Sequence, residues 1–180
     1  MMRAFVALDL PDALRSALAM EQFLLPLPHK VPVGNLHLTL CFLGEVPPRQ
    51  LEVAHEALAD IRLPGFDLAL RGLGLFGGDR PHSLHAQVVP NGALDRLARA
   101  VDRAARSAGL APQARRFVPH VTLGRFRPLD PVQAGPLERA VIDRAGFAAG
   151  PVPIRDFVLY ESRALGAGRR YDELARYPLG

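Results

Sequence analysis

His37-Leu38-Thr39-Leu40 is a tetrapeptide whose pattern returns 83 positions later as His120-Val121-Thr122-Leu123. Successive side chains of a β-strand point to opposite faces of the sheet. Each tetrapeptide therefore places an imidazole and a hydroxyl on one face and two aliphatic side chains on the other. We predict that both segments are strands, with the polar face open to a cleft and the aliphatic face in the core.

The repeat extends beyond the two tetrapeptides. Each histidine is followed by a proline eleven positions on and a glutamine thirteen positions on, Pro48 and Gln50 in one copy and Pro131 and Gln133 in the other. Proline is tolerated in the first turn of a helix because its missing N–H would have no partner there. One copy alone would more often be an ordinary half-buried strand. Two copies predict a duplicated strand–loop–helix unit and hence a two-lobed, pseudo-symmetric domain with its active site between the lobes.

The composition bounds the class of protein. With 180 residues, 49% of them hydrophobic, the chain can bury the core of a single domain over residues 1–180. No apolar run approaches the roughly 20 residues of a membrane span, and the first residues lack the apolar region of a signal peptide. Cys41 is the only cysteine, which excludes an internal disulfide and fits a reducing compartment. We therefore expect a cytoplasmic protein without membrane contact.

The basic residues are almost all arginine. The formal net charge is +4, and Lys30 is the only lysine among 22 basic residues. The planar guanidinium suits phosphate, although arginine in place of lysine throughout a chain also fits a genome-wide compositional bias. The local cluster Arg115, Arg116, Arg125 and Arg127 around the second motif is more informative than the total.

The remaining pattern predicts an α+β domain in which strands and helices alternate. Apolar periodicity and turn residues predict helices after Pro11, after Pro47-Pro48, after Asn91-Gly92 and over 131–144. Strands are expected at 3–9, 36–43, 66–75, 83–89, 118–126, 153–161 and 170–179. The strands 66–75 and 83–89 could form a hairpin, and a loop is expected from Ser162 to Gly168.

Two imidazoles and two hydroxyls facing one cleft would supply the parts for phosphoryl transfer without metal. Hydrolysis of a cyclic phosphodiester needs a base that takes a proton from water and an acid that protonates the leaving sugar oxygen. Imidazole, with a pKa of about 6.5, can serve as either, so His37 and His120 are the candidate pair. Thr39 and Thr122 would donate hydrogen bonds to phosphate oxygens, helped by Arg125. Strict alternation from His120 places Arg125 on the opposite face, so a bulge or the strand's end must redirect it.

Other histidines have weaker claims on the site. His29 and His55 are predicted at the surface, because histidines in a loop or beside acidic helix residues are usually exposed. Ser83, His85 and Gln87 would share one strand face, which is either a wall of the cleft or a solvated sheet face. We favour the solvated face.

Cys41 lies on the face of His37 and Thr39 if alternation holds. As a nucleophile it would need a local base and an oxyanion donor, whereas a small buried hydrophobe is the commoner role of a lone cysteine. Neither histidine motif has the helical i, i+4 spacing or the nearby carboxylates of a common zinc site. We predict no metal and no cofactor.

Four segments carry a further signal: Met2–Pro11, Asn35–Gly44, Pro119–Arg125 and Leu159–Ser162. In these segments the chain resembles the two-histidine (2H) phosphoesterases, and specifically their bacterial and archaeal RNA 2′,3′-cyclic phosphodiesterase branch, also called 2′-5′ RNA ligase. The resemblance covers nearly the whole chain. It implies a two-lobed α+β fold in which antiparallel sheets line a central pseudo-twofold cleft and helices lie outside.

The resemblance also implies an activity and roles. An RNA 2′,3′-cyclic phosphate would be opened to a 2′-phosphate, with His37 protonating the 3′ oxygen and His120 positioning water. Reversible 2′-5′ RNA ligation is a second activity that the resemblance implies. Val31-Pro32-Val33 stands where related sequences often carry a tryptophan or arginine, so a contact to the substrate base would differ. We expect a monomer whose partners are RNA ends or nucleotides bearing a 2′,3′-cyclic phosphate.

Two other functions stay open. One keeps the chemistry and changes the substrate to a small nucleotide, such as a cyclic phosphate of ADP-ribose or a 2′,5′-linked oligonucleotide. The other is a non-catalytic binder of RNA ends. Pure binding would not require two titratable groups in matching positions, so the completeness of both motifs argues against the binder.

Overall fold

The computed structural model describes residues 1–113, 116–166 and 168–180. Its helices are α1 Asp12–Leu24, α2 Pro48–Ala59, α3 Gly92–Ser107 and α4 Pro131–Asp143, with a short 3₁₀ turn at Val33–Asn35. Its strands are β1 Met2–Asp9, β2 His37–Val46, β3 Phe66–Phe76, β4 Ser83–Val88, β5 His120–Arg125, β6 Ala148–Ile154, β7 Asp156–Leu165 and β8 Gly168–Pro178. None of the helices in these ranges is long and apolar enough to cross a bilayer.

The strands form one antiparallel sheet in the order β6-β3-β4-β5-β2-β1-β7-β8, curled into a half-barrel. The first half-sheet consists of β2, β1, β7 and β8, and the second of β5, β4, β3 and β6. Between β2 and β5, among the described residues, the ladder contains the single pair Leu38 and Val121. The α+β class and the two-lobed, pseudo-symmetric architecture are therefore confirmed, with the two predicted sheets joined into one through this seam.

The proline of each repeat begins a helix, as predicted. Pro48 is the first residue of α2 and Pro131 the first residue of α4. At α4 the Asp130 side chain accepts a hydrogen bond from the Gln133 backbone N–H at 2.9 Å, and the Gln133 side chain accepts one from Asp130 N–H at 3.1 Å. This reciprocal cap satisfies backbone N–H groups that the first turn leaves without partners.

Strand β6 is missing from the sequence prediction. It pairs antiparallel with β3 at the end of the sheet, and it contains Pro151 and Pro153. Proline lacks an N–H and so weakens a strand signal, yet it is acceptable on an edge strand. The predicted loop Ser162 to Gly168 is also mostly strand, since β7 continues to Leu165 and β8 begins at Gly168.

A buried glutamine joins helix α1 and the loop after it to strand β5. Residues 29–31, in the loop after α1, bond to β5. Val31 N–H donates to Leu123 O at 2.9 Å, and His29 O accepts from Arg125 N–H at 3.2 Å. Gln22 on α1 donates from Nε2 to Val31 O at 2.7 Å and to Leu123 O at 2.8 Å. Gln22 is 3% exposed, so neither bond competes with bulk water.

We expect Gln22→Met to lower the free energy of unfolding by about 1–3 kcal/mol, because the isosteric side chain removes both donors from a buried site. Urea denaturation followed by circular dichroism measures the loss. Gln50→Met is the matched control, because the Gln50 amide donates to Gly109 O in an exposed position. Equal losses in the two variants would show that the buried Gln22 amide stabilises the fold no more than the exposed Gln50 amide does.

Candidate active site

The two motif histidines lie on either side of the seam. His37 is the first residue of β2 and His120 the first of β5. Because β2 and β5 run antiparallel and pair at Leu38 and Val121, His37 is directed toward Thr122 and Thr39 toward His120. Leu38 and Val121 are fully buried on the opposite face. The structure thus brings both imidazoles and both threonine hydroxyls to one face of the sheet.

Each imidazole is held in the same way. Nδ1 of His37 donates to Asn35 O at 2.7 Å, and Nδ1 of His120 donates to Val118 O at 2.7 Å. A carbonyl oxygen can only accept, so in the neutral ring the proton lies on Nδ1 and Nε2 carries the lone pair. The Thr39 hydroxyl lies 3.1 Å from Nε2 of His37 and donates to it. Both rings therefore offer Nε2 for proton transfer.

His37 is enclosed by aromatic rings. Its ring centroid lies 5.0 Å from that of Phe5 and 5.1 Å from that of Tyr171, which meets it edge-on. The pKa of His37 is lowered to about 4, mainly by burial and in smaller part by the charges of Arg125 and His120, against the opposing effect of its bond to Asn35. In the ligand-free protein His37 is therefore neutral near pH 7.

His120 has a corresponding group of rings on its own side. Phe76 lies 4.9 Å from the His120 ring centroid and His85 lies 5.4 Å from it, both edge-on. Phe76 and His85 stack on each other at 4.0 Å. These contacts limit rotation of the His120 ring about its Cβ–Cγ bond and reinforce the bond to Val118 O.

A β-bulge brings Arg125 to the cleft. The β4–β5 register passes from His85 opposite Thr122 to Leu84 opposite Gly124, so Leu123 has no partner in β4. Arg125 then pairs with Ser83, on the face that also carries Thr122. The extra residue removes the difficulty that strict alternation raised for Arg125.

The first motif contains the same bulge. The β1–β2 register passes from Ala7 opposite Thr39 to Val6 opposite Cys41, leaving Leu40 without a partner. Cys41 consequently lies on the helix-covered face, where burial raises the pKa of its thiol to about 12. The prediction that Cys41 shares the face of His37 is wrong for this reason, while its role as a small buried side chain fits the structure.

Two expectations about the other histidines have opposite outcomes. His29 and His55 are exposed, as predicted. His85 is 5% exposed and Ser83 is 8% exposed, so the solvated face expected for them is wrong. Both lie on the cleft wall, where β3 and β5 flank β4 and Phe76 covers His85. The alternation of Ser83, His85 and Gln87 indicates that they share one face of β4. It does not indicate whether that face is buried, which depends on the neighbouring strands.

The arginine cluster around the second motif is only partly brought to the site. Arg125 reaches the cleft face, Arg116 and Arg127 are exposed, and Arg115 lies outside the described residues. The aromatic residues Phe5, Phe76 and Tyr171 were not singled out from the sequence. Within the described ranges, no group of three His, Cys, Asp or Glu side chains is placed to hold a metal ion.

Comparison with known proteins gives a consistent result. Residues 10–164 match the model of the 2′-5′ RNA ligase superfamily. An RNA 2′,3′-cyclic phosphodiesterase of Archaeoglobus fulgidus is 30% identical over 179 residues, covering 96% of this chain and 98% of the relative. Crystalline E. coli LigT, complexed with 3′-AMP, superposes with a TM-score of 0.81 and 30% identity, covering 99% of this chain and 98% of LigT.

Other relatives are longer or align less fully. The alignment with an RNA 2′,3′-cyclic phosphodiesterase of Geobacillus stearothermophilus, 31% identical, covers 81% of this chain and 46% of that protein. The alignment with the enzyme of the same name from Aeropyrum pernix, 41% identical, covers 52% of this chain and 54% of that protein. The chain thus aligns with about half the length of these two relatives.

Proposed function

Because the chain belongs to the 2′-5′ RNA ligase superfamily, we propose that it hydrolyses a terminal 2′,3′-cyclic phosphate of RNA to a 2′-phosphate by two-histidine acid–base catalysis. The observation that carries this proposal is the mirrored pair His37 and His120, each fixed through Nδ1 and each offering Nε2 to one cleft. Full-length relatives named RNA 2′,3′-cyclic phosphodiesterases support the substrate. All five proposed site residues come from one chain, so we propose that it acts as a monomer.

In the proposed reaction the two rings work on opposite sides of the phosphorus. Nε2 of His120 accepts a proton from water as the water oxygen attacks phosphorus. The bond from phosphorus to the 3′ oxygen breaks, and Nε2 of His37 gives a proton to that oxygen. Thr39, Thr122 and Arg125 donate hydrogen bonds to the non-bridging oxygens, where negative charge increases in the transition state. The Thr39 hydroxyl is available for this because Nε2 of His37, once protonated, no longer accepts its hydrogen bond.

The low pKa of His37 adds a requirement to this mechanism. A ring that is neutral in the free protein can serve as the acid only if it gains a proton together with the substrate. The phosphate anion supplies the reason, since a negative charge beside the ring favours the imidazolium and offsets the opposing charge of Arg125. Binding of an anion and protonation of His37 are therefore coupled in the proposed mechanism.

This coupling predicts proton uptake. Sulfate, which does not titrate near neutral pH, should bind more tightly as the pH falls from 8 to 5, because the pKa of His37 is higher in the complex than in the free protein. Calorimetry in two buffers of different ionisation enthalpy measures the uptake, expected to be below one proton per sulfate. His37→Gln should abolish most of it. Equal uptake in that variant would place the proton elsewhere.

The proposed function is tested by turnover of a defined RNA ending in a 2′,3′-cyclic phosphate, with phosphorus NMR of the product. We expect a 2′-phosphate and equal rates with and without EDTA. Loss of activity on chelation, restored by a divalent ion, would contradict the metal-independent mechanism. A 3′-phosphate product would reverse the roles of His37 and His120. A higher kcat/KM for a cyclic phosphate of ADP-ribose would favour the small-nucleotide substrate, and the absence of all turnover would favour the binder.

A further inference from the structure

Two polar side chains line the cleft beyond His120. His85 and Gln87 lie on β4, opposite Thr122 and His120 of β5. Directly paired residues share a face of the sheet, so both belong to the cleft face. Strand β4 lies on the side of β5 that is away from β2. His85 and Gln87 are therefore on the far side of His120 from His37.

Glycines of the adjacent strand β3 let these two side chains converge. A Cβ at Gly74 would lie 2.8 Å from Nε2 of His85 and 2.9 Å from Nε2 of Gln87. A Cβ at Gly72 would lie 3.3 Å from Oε1 of Gln87. The His85 ring edge and the Gln87 amide thus lie close together above the β3 backbone, in space that a side chain at Gly74 would fill. We call this group of His85, Gln87, Gly72 and Gly74 the β4 niche.

The niche contains a polar group without a partner. His85 is 5% exposed, and its Nδ1 makes no hydrogen bond to the described part of the chain. Buried polar atoms in native proteins are usually paired, and an exception calls for an explanation such as a ligand. Burial lowers the pKa of His85 to about 4, so the ring is neutral near pH 7, and its other nitrogen, Nε2, is the one that lies beside Gly74 and Gln87. Gln87 is exposed, and its amide offers both donors and an acceptor.

The sheet order places a different kind of wall beyond His37. Phe5, Tyr160 and Tyr171 lie on β1, β7 and β8, and the Phe5 ring lies within 5.3 Å of both tyrosine rings. A phosphodiester centred between the two histidines has one ester arm toward each wall. With His37 beside the 3′ oxygen, the cyclic nucleoside lies toward the aromatic wall, and the in-line position opposite that oxygen lies toward the β4 niche.

We propose that the β4 niche binds the second nucleoside of a 2′-5′ linkage, the one joined to phosphorus through its 5′ oxygen. In the opening of that linkage the 3′-hydroxyl attacks phosphorus and the bond to the 5′ oxygen breaks. Nε2 of His37 takes the hydroxyl proton, and Nε2 of protonated His120 gives one to the leaving 5′ oxygen. The products are a 2′,3′-cyclic phosphate and a nucleoside with a free 5′-hydroxyl, and the reverse is ligation. This inference rests on the proposed function and its assignment of the two histidines.

The test compares two substrates in each variant: 2′,3′-cyclic AMP, which lacks the second nucleoside, and the 2′-5′-linked dinucleotide ApA, which has it. Gln87→Ala removes the amide, His85→Phe keeps a ring on Phe76, and Gly74→Ala keeps both side chains but places a methyl where they converge. In each, the kcat/KM for ApA relative to that for cyclic AMP should fall about tenfold or more, as expected for lost hydrogen bonds. Gly135→Ala, whose Cβ would contact nothing within 4 Å, is the control.

The outcomes separate the inference from the proposed function. Wild-type protein that hydrolyses cyclic AMP but does not open ApA would overturn the inference alone, whereas hydrolysis of neither would overturn both. Equal losses on the two substrates in all three variants would mean that the niche acts only through His120, against the inference. A changed preference among cyclic AMP, CMP, GMP and UMP would place the cyclic nucleoside's own base in the niche, which also overturns it.

Discussion

Replacing His120 with alanine is expected to lower kcat for cyclic-phosphate hydrolysis by about 10²- to 10⁴-fold, and replacing His37 should have an effect of similar size. Each change removes one proton transfer from the same transition state. The double variant should therefore be only slightly slower than either single variant, because groups that act as a unit are not additive. Steady-state kinetics with 2′,3′-cyclic AMP measures all three.

The control for these variants is His29→Ala, since His29 is an exposed loop residue whose side chain has no proposed role. Native circular dichroism of each variant establishes that the fold is retained. The pH profile gives a further check, because a bell-shaped dependence on two groups should lose one limb when one group is removed. Near-normal kcat in either histidine variant would eliminate the proposed acid–base pair.

Arg125→Ala is expected to lower kcat/KM by about 10²- to 10³-fold, as when a preorganised donor to a developing oxyanion is removed. Thr39→Val and Thr122→Val keep the shape and remove neutral donors, so their effects should be smaller. The charge of Arg125 lowers the pKa of His37, so its removal should also move the limb of the pH profile assigned to His37 toward higher pH.

Arg127→Ala is the matched control for Arg125, because it changes an exposed arginine two positions away. Arg125→Lys separates charge from shape: it keeps the charge but cannot form the paired donor geometry of a guanidinium, so we expect an intermediate rate. An unchanged kcat/KM in Arg125→Ala would show that facing the cleft does not make this residue a phosphate ligand.

The alternation of side chains along each motif is sufficient to predict which of them face the cleft. It places His37 and Thr39 on one face, and likewise His120 and Thr122. Within an unbroken stretch of strand, sequence spacing alone determines which side chains share a face. The family and fold class predicted from these motifs and the segments around them are confirmed. The catalytic roles stay predictions.

The features that alternation missed depend on residues distant in sequence. The positions of Cys41 and Arg125 follow from bulges that exist only through pairing with β1 and β4. His85 is buried because Phe76 stacks on it, which a polar alternating strand does not reveal. Strand β6 is stable at the sheet edge despite its prolines because β3 supplies the partner.

The bulge present in both motifs determines which sequence separations place two side chains on the same face of the strand. His120 and Arg125 are separated by five positions, an odd number, and an odd separation puts two side chains on one face of a strand only when one residue between them is extra. If the strand ran without a bulge and kept Leu123, Gly124 would turn toward the cleft and Arg125 toward the helices. Deleting Leu123 would instead give a regular ladder in which Gly124 stays on the core face and Arg125 on the cleft face. Leu40 and Leu123 are themselves buried in the core, so each extra residue both packs and sets which of the side chains after it reach the cleft.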